Sequence, residues 1–91
     1  MKFEWDEAKN QGNIRKHGVS FEIAKRIFEG PVLTWLDNRM DYGEDRCISV
    51  GLVEHTALIV VVHTDRGGRT RLISARPASR TERQAYHERI R

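Results

Sequence analysis

Between Thr56 and Thr64 the chain is almost continuously apolar, with Leu58, Ile59, Val60, Val61 and Val62 in unbroken succession. Branched aliphatic residues in a run this short, bounded by polar turns, describe a strand covered on both faces. Such a strand demands a packed layer on each side and a sheet to sit in. The neighbouring segments supply that sheet. Before it, Arg46 to Val53 alternates, with Ile48, Val50 and Leu52 on one side. After it, Asp65-Arg66-Gly67-Gly68 reads as a hairpin turn that returns Arg69 to Arg76 antiparallel to its neighbour.

The covering layers are written as helices with start and stop signals. Phe3, Glu4 and Trp5 form a short first strand, and Asp6 caps a helix from Glu7 to His17 that ends at Gly18. Ser20 caps a second helix, Phe21 to Phe28, whose stripe is Phe21, Ala24, Ile27 and Phe28, and Gly30-Pro31 stops it. Val32 to Leu36 is a further strand, followed by a polar loop, Asp37 to Asp45. Ser79-Arg80-Thr81-Glu82 fits a capping box opening a final helix that runs to the C-terminus. The expected order is β-α-α-β-β-β-β-α, an α+β fold in which helices flank an antiparallel sheet, in one domain over residues 1–91.

Charge separates along the chain. Residues 1–45 hold seven basic and nine acidic side chains, whereas residues 46–91 hold nine arginines, no lysine and four acids. A basic half on a small domain points to a polyanion, nucleic acid being the commonest. Guanidinium suits phosphate, because its planar fork stays charged and offers two parallel donors. Cys47 is alone, so no internal disulfide is possible, which fits a reducing compartment. The start lacks the apolar core of a signal peptide, and no apolar run is long enough to span a bilayer. A soluble cytoplasmic domain with no membrane contact is expected.

At 100° per residue, Arg80, Arg83, Gln84, His87 and Arg91 share one face of the final helix, with Tyr86 and Ile90 beside it. Arg71 and Arg76 precede that helix on a strand. Five positions apart, they point to opposite faces if the strand is regular. His17 is a candidate proton carrier, although His17-Gly18 also reads simply as a helix end. Asp6, Asp37, Asp41, Glu44 and Asp45 could suggest metal ligands, but Asp6 is more simply a cap and the other four read as solvated loop acids. No metal-ligand spacing, P-loop or nucleophile-elbow pattern occurs, so no metal or cofactor is expected.

Phe3-Glu4-Trp5-Asp6 with Lys9 and Asn13, then Lys16-His17-Gly18-Val19-Ser20-Phe21, Arg71 to Arg76, and Glu82-Arg83 with Tyr86 closely resemble the BrnT toxin family, in order along nearly the whole chain. The resemblance implies a RelE-like fold and an RNA-cleaving toxin of a bacterial type II toxin–antitoxin system. It also implies a BrnA-like antitoxin with a ribbon-helix-helix domain, operator DNA being reached only through the toxin–antitoxin complex. Metal-independent cleavage by 2′-hydroxyl attack then assigns Arg76 and Arg83 to the phosphate, His17 or Tyr86 to the proton, and Lys16 to lowering a pKa. Arg71, Arg80, His87 and Arg91 become RNA contacts. Two other classes compete: a non-catalytic nucleic-acid-binding module, and a module whose arginines only dock an acidic antitoxin. Against a helix-turn-helix stands the second helix, which spends Phe21, Ala24, Ile27 and Phe28 on a core.

Overall fold

The computed structural model of the chain describes residues 1–90. After a two-residue strand β1 (Phe3–Glu4), helix α1 (Glu7–His17) begins where the Asp6 carboxylate accepts the Lys9 N–H at 3.1 Å. It ends at Gly18, whose φ of 73° is left-handed and whose N–H donates to the Ile14 carbonyl at 2.8 Å. Helix α2 (Phe21–Ala24) starts on the Ser20 cap, then tightens into a 3₁₀ helix, Lys25–Glu29. The single helix expected to reach Phe28 is thus two windings. The tighter one lays Ile27 against the sheet at Gly51, where an added Cβ would lie 2.8 Å from the Ile27 Cβ.

Strands β2 (Val32–Leu36), β3 (Cys47–Val53), β4 (Ala57–Arg66) and β5 (Arg69–Pro77) and helix α3 (Arg80–Arg89) complete the chain. The sheet order is β1-β5-β4-β3-β2, so β4 is central, as its unbroken apolar run requires. The β4–β5 turn is Gly67-Gly68, both at positive φ. The sheet is mixed rather than antiparallel: β1 pairs in parallel with β5, Phe3 opposite Thr70 and Glu4 opposite Arg71. The direction follows from α1. Asn13 accepts the Ala75 N–H at 3.1 Å and donates to the Ala75 carbonyl at 2.7 Å, so the chain travels along β5 in its own sense.

Alternation divides β4 between two cores. Ile59 and Val61 face α1 and α2 with Phe21, Ala24, Ile27, Leu72 and Ala75, while Phe3, Trp5 and Phe28 close the margin. Leu58, Val60 and Val62 face α3 with Ile48, Val50, Ala78 and Tyr86. One irregularity interrupts the ladder. Val62 pairs with Ser74 and His63 with Leu72, which leaves Ile73 as an extra residue, a β-bulge. No helix among the described residues is long and apolar enough to cross a membrane.

Candidate active site

The bulge alters which arginines can act together. Beyond it, Arg71 lies opposite Thr64 and Arg76 opposite Val60. Directly opposed residues share a face, and Thr64 and Val60 are four apart, so both arginines lie on the α3 side of the sheet. The expectation of opposite faces is overturned, because Ile73 absorbs one step of the alternation. Each guanidinium is held by a carboxylate. Arg71 meets Glu4 at 2.8 Å. Arg76 meets Glu82 through two parallel bonds of 2.7 Å.

Glu82 does two things at once. Its Oε1 also accepts the Ser79 N–H at 2.8 Å, closing the capping box that starts α3. The hydrogen bond from Arg76 is the main cause of its carboxyl lying down at about 2, and the same pairing raises Arg76. Arg76 therefore stands in a fixed orientation at the mouth of α3, its side chain 40% exposed.

The other α3 candidates separate from this pair. Arg80, Arg83 and His87 are exposed and form no ion pair among the described residues. By helical phase they occupy one flank of α3, whereas Thr81, Ala85 and Glu88 on the other flank line a cleft with Leu33, Thr34 and Trp35. Tyr86 between the flanks is only 2% exposed, and its hydroxyl donates to the Pro31 carbonyl at 3.1 Å. It anchors α3 and walls a cleft of about 740 Å³ with Arg26, Pro31, Leu52, Glu54 and His55. Arg91 lies outside the described residues.

At the end of α1, Lys16 is exposed and His17 half-buried. Asn13 and His17 are four apart and share a helix face. His17 thus lies one turn past the residue that grips Ala75, in the direction in which β5 continues to Arg76. The helix-closing bond is made by Gly18, which leaves the imidazole out of the cap.

The loop from Asp37 to Asp45, read from sequence as solvated acids, is an organised element. Asp37 has its side chain fully covered, and Arg39 grips it through Nε and Nη2, each at 2.7 Å. The Arg39 N–H and the Tyr42 hydroxyl donate to it as well. That hydrogen bonding, Arg39 first, holds the Asp37 carboxyl well below its ordinary range. Glu44 pairs with Arg46 at 3.3 Å and Arg66 at 3.1 Å, and Arg46 stacks 4.0 Å from the Tyr42 ring centre. Asp6 caps α1, and Asp41 accepts the Gly43 N–H. The only signal of this in the sequence is the Asp37-x-Arg39 spacing. Among the described residues, no three His, Cys, Asp or Glu side chains group as metal ligands.

Comparison with known proteins follows the same line. A family model described as "Ribonuclease toxin, BrnT, of type II toxin-antitoxin system" matches residues 5–82. Among solved structures, the Brucella abortus ribonuclease toxin BrnT is similar with a TM-score of 0.66 and 30% identity, covering 88% of this chain and 99% of that one. No curated protein sequence matches.

Proposed function

The chain belongs to the BrnT family of ribonuclease toxins of type II toxin–antitoxin systems, and from that premise we propose that it cuts RNA without a metal ion, at the α3 face of its sheet. The observation that carries this reading is the bulge at Ile73, because it sets Arg71 on the same face of the sheet as Arg76, which stands at the start of α3. RNA cleavage of this kind needs a base to take the 2′-hydroxyl proton. It needs cations to stabilise the phosphorane, and an acid to protonate the departing 5′-oxygen.

Arg76 is the phosphate grip. Glu82 occupies two of its N–H donors and fixes its plane, which leaves the Nε edge for a phosphate oxygen. Arg71 adds positive potential from the same face. Arg83, without an ion pair among the described residues, takes the phosphate in a second grip from the flank of α3, and Arg80 and His87 extend the track for the RNA backbone. His17 carries the proton, reaching the cut around the β5 edge because α1 packs on the opposite face of the sheet, with Lys16 beside it. Tyr86, the other proton carrier considered, has its hydroxyl engaged by Pro31 and serves to seat α3.

A partner completes the system. The reading supplies a BrnA-like antitoxin with a ribbon-helix-helix domain, which covers the basic surface in the cytoplasm and brings the complex to operator DNA. Induced expression tests the assignments: the wild type arrests growth, while Arg76→Ala and His17→Ala, made to equal levels and folded, do not. If Arg76→Ala, Arg83→Ala and His17→Ala all stay folded and fully toxic, the site lies elsewhere.

A further inference from the structure

The cleft walled by Tyr86 has no role in the site as described so far. Its volume of about 740 Å³ suits a small ligand, and its floor is apolar, formed by Pro31, Leu52 and Tyr86. The β3–β4 turn borders it, closed by the Thr56 N–H donating to the Val53 carbonyl at 3.2 Å. Glu54 and His55 at the centre of that turn have φ of 54° and 61°, and they are the only non-glycine residues at positive φ among those described. Asn-Gly would sit there with less strain. The turn instead keeps a carboxylate and an imidazole lining the cleft. The 3₁₀ helix adds Arg26 and Glu29, three positions apart and so in line on one face of that winding. Arg26 donates from Nη1 to Glu54 at 2.8 Å, and its Nε stands 4.0 Å from Glu29. Its Nη2 and the Glu29 carboxylate make no hydrogen bond among the described residues. The cleft also adjoins the cationic flank of α3. The His87 ring stands edge-on to the Tyr86 ring, with 5.7 Å between centres. Arg83 lies about 60° round the helix from Tyr86, on the side away from Thr81 and Ala85.

We propose that this cleft receives a guanine base of the RNA, its ring over the apolar floor beside His55 and its edge read by Arg26 and Glu29. Glu29 and Glu54 repel a phosphate, so the backbone stays on Arg83 and His87 while an unstacked base turns inward. Guanine presents an acceptor, O6, beside two parallel donors, N1–H and N2–H. The Nη2 of Arg26 answers the first, and the two oxygens of Glu29 answer the second. Adenine places a donor against the arginine and an acceptor against the carboxylate, so it is disfavoured on both counts. This rests on the ribonuclease reading above and gives that enzyme a base preference.

The test uses non-cleavable 2′-O-methyl oligocytidines carrying one guanosine, inosine or adenosine for binding, and the unmodified oligonucleotides for cutting. The wild type prefers guanosine to adenosine by about tenfold or more, the scale of a charge-assisted contact. Inosine, which lacks only the N2 amino group, falls between them. Glu29→Gln and Arg26→Ala each bring the guanosine-to-adenosine ratio towards one. His55→Ala weakens all three alike, because stacking does not read the base edge. Each preference is a ratio between oligonucleotides on one protein, so a loss of stability does not imitate it. Two results overturn the proposal and leave the ribonuclease reading standing. One is a wild type that cuts RNA but treats guanosine and adenosine alike. The other is a guanosine preference that survives both Glu29→Gln and Arg26→Ala. A wild-type protein that neither binds nor cuts RNA overturns both.

Discussion

At the scale of single residues, polar side chains are held in two ways, some by backbone groups and some by one another. Asn13 shows the first kind. It bonds the Val19 carbonyl at 2.9 Å and both backbone groups of Ala75, all shielded from water. Asn13→Ala leaves these groups without partners, and we expect a loss of about 2–4 kcal/mol in urea unfolding. Glu82 shows the second kind. Its carboxyl, ordinarily near 4.5, is depressed to about 2 by Arg76, so the folded state binds the proton more weakly than the unfolded chain. The stability this provides is complete above pH 4.5 and fades as pH falls towards 2. In thermal melts across that window, Glu82→Gln flattens the pH dependence; an unchanged slope would mean that the pair does not form. Such pairs are hard to foresee. Arg71 and Glu4 are 67 positions apart, and nothing local in the sequence announces that a parallel two-residue strand will bring them together.

Elements with a local cause were legible, and those with a tertiary cause were not. The Asp6 and Ser20 caps, the Gly18 stop, the Gly67-Gly68 turn and the Ser79–Glu82 capping box each answer to chemistry within a few residues, and each is present. The bulge carries no glycine or proline to mark it. It is imposed by the partner strand, where Val62 and His63 stay adjacent while Ile73 is squeezed out of register and into the α3 core. The second helix breaks at Ala24 for a similar reason, since its tighter continuation must seat Ile27 on Gly51. That contact predicts a sharp response. Gly51→Ala overfills the gap and lowers stability by about 1–3 kcal/mol in denaturant titration, whereas Gly43→Ala, with nothing within 4 Å of the added carbon, answers only to its positive φ of 72°. At the start of α3, Ser79→Ala removes the cap and costs about 1 kcal/mol. It also loosens Glu82, so RNA cutting falls further than folding does; equal falls would separate the cap from the site.

Across the whole molecule, the basic C-terminal half and the more acidic N-terminal half do not form two opposed surfaces. They interlock, acid to arginine, at Glu4–Arg71 and Glu44–Arg66, and Glu44 belongs to a loop that sequence composition alone marked as acidic. Net charge therefore overstates how much positive surface is free and understates how well the cations are aimed. Two sets remain: clamped guanidiniums on the sheet face, and the open flank of Arg80, Arg83 and His87 on α3. The proposed chemistry needs the first set to bind the phosphate and the second to guide the strand. It is tested most directly by incubating purified, antitoxin-free protein with RNA in EDTA and identifying the product ends. The account predicts cleavage that persists in chelator and leaves 2′,3′-cyclic or 3′-phosphate ends beside 5′-hydroxyls, with Arg76→Ala folded and inactive. Cleavage abolished by EDTA, or products carrying 5′-phosphates, would contradict it.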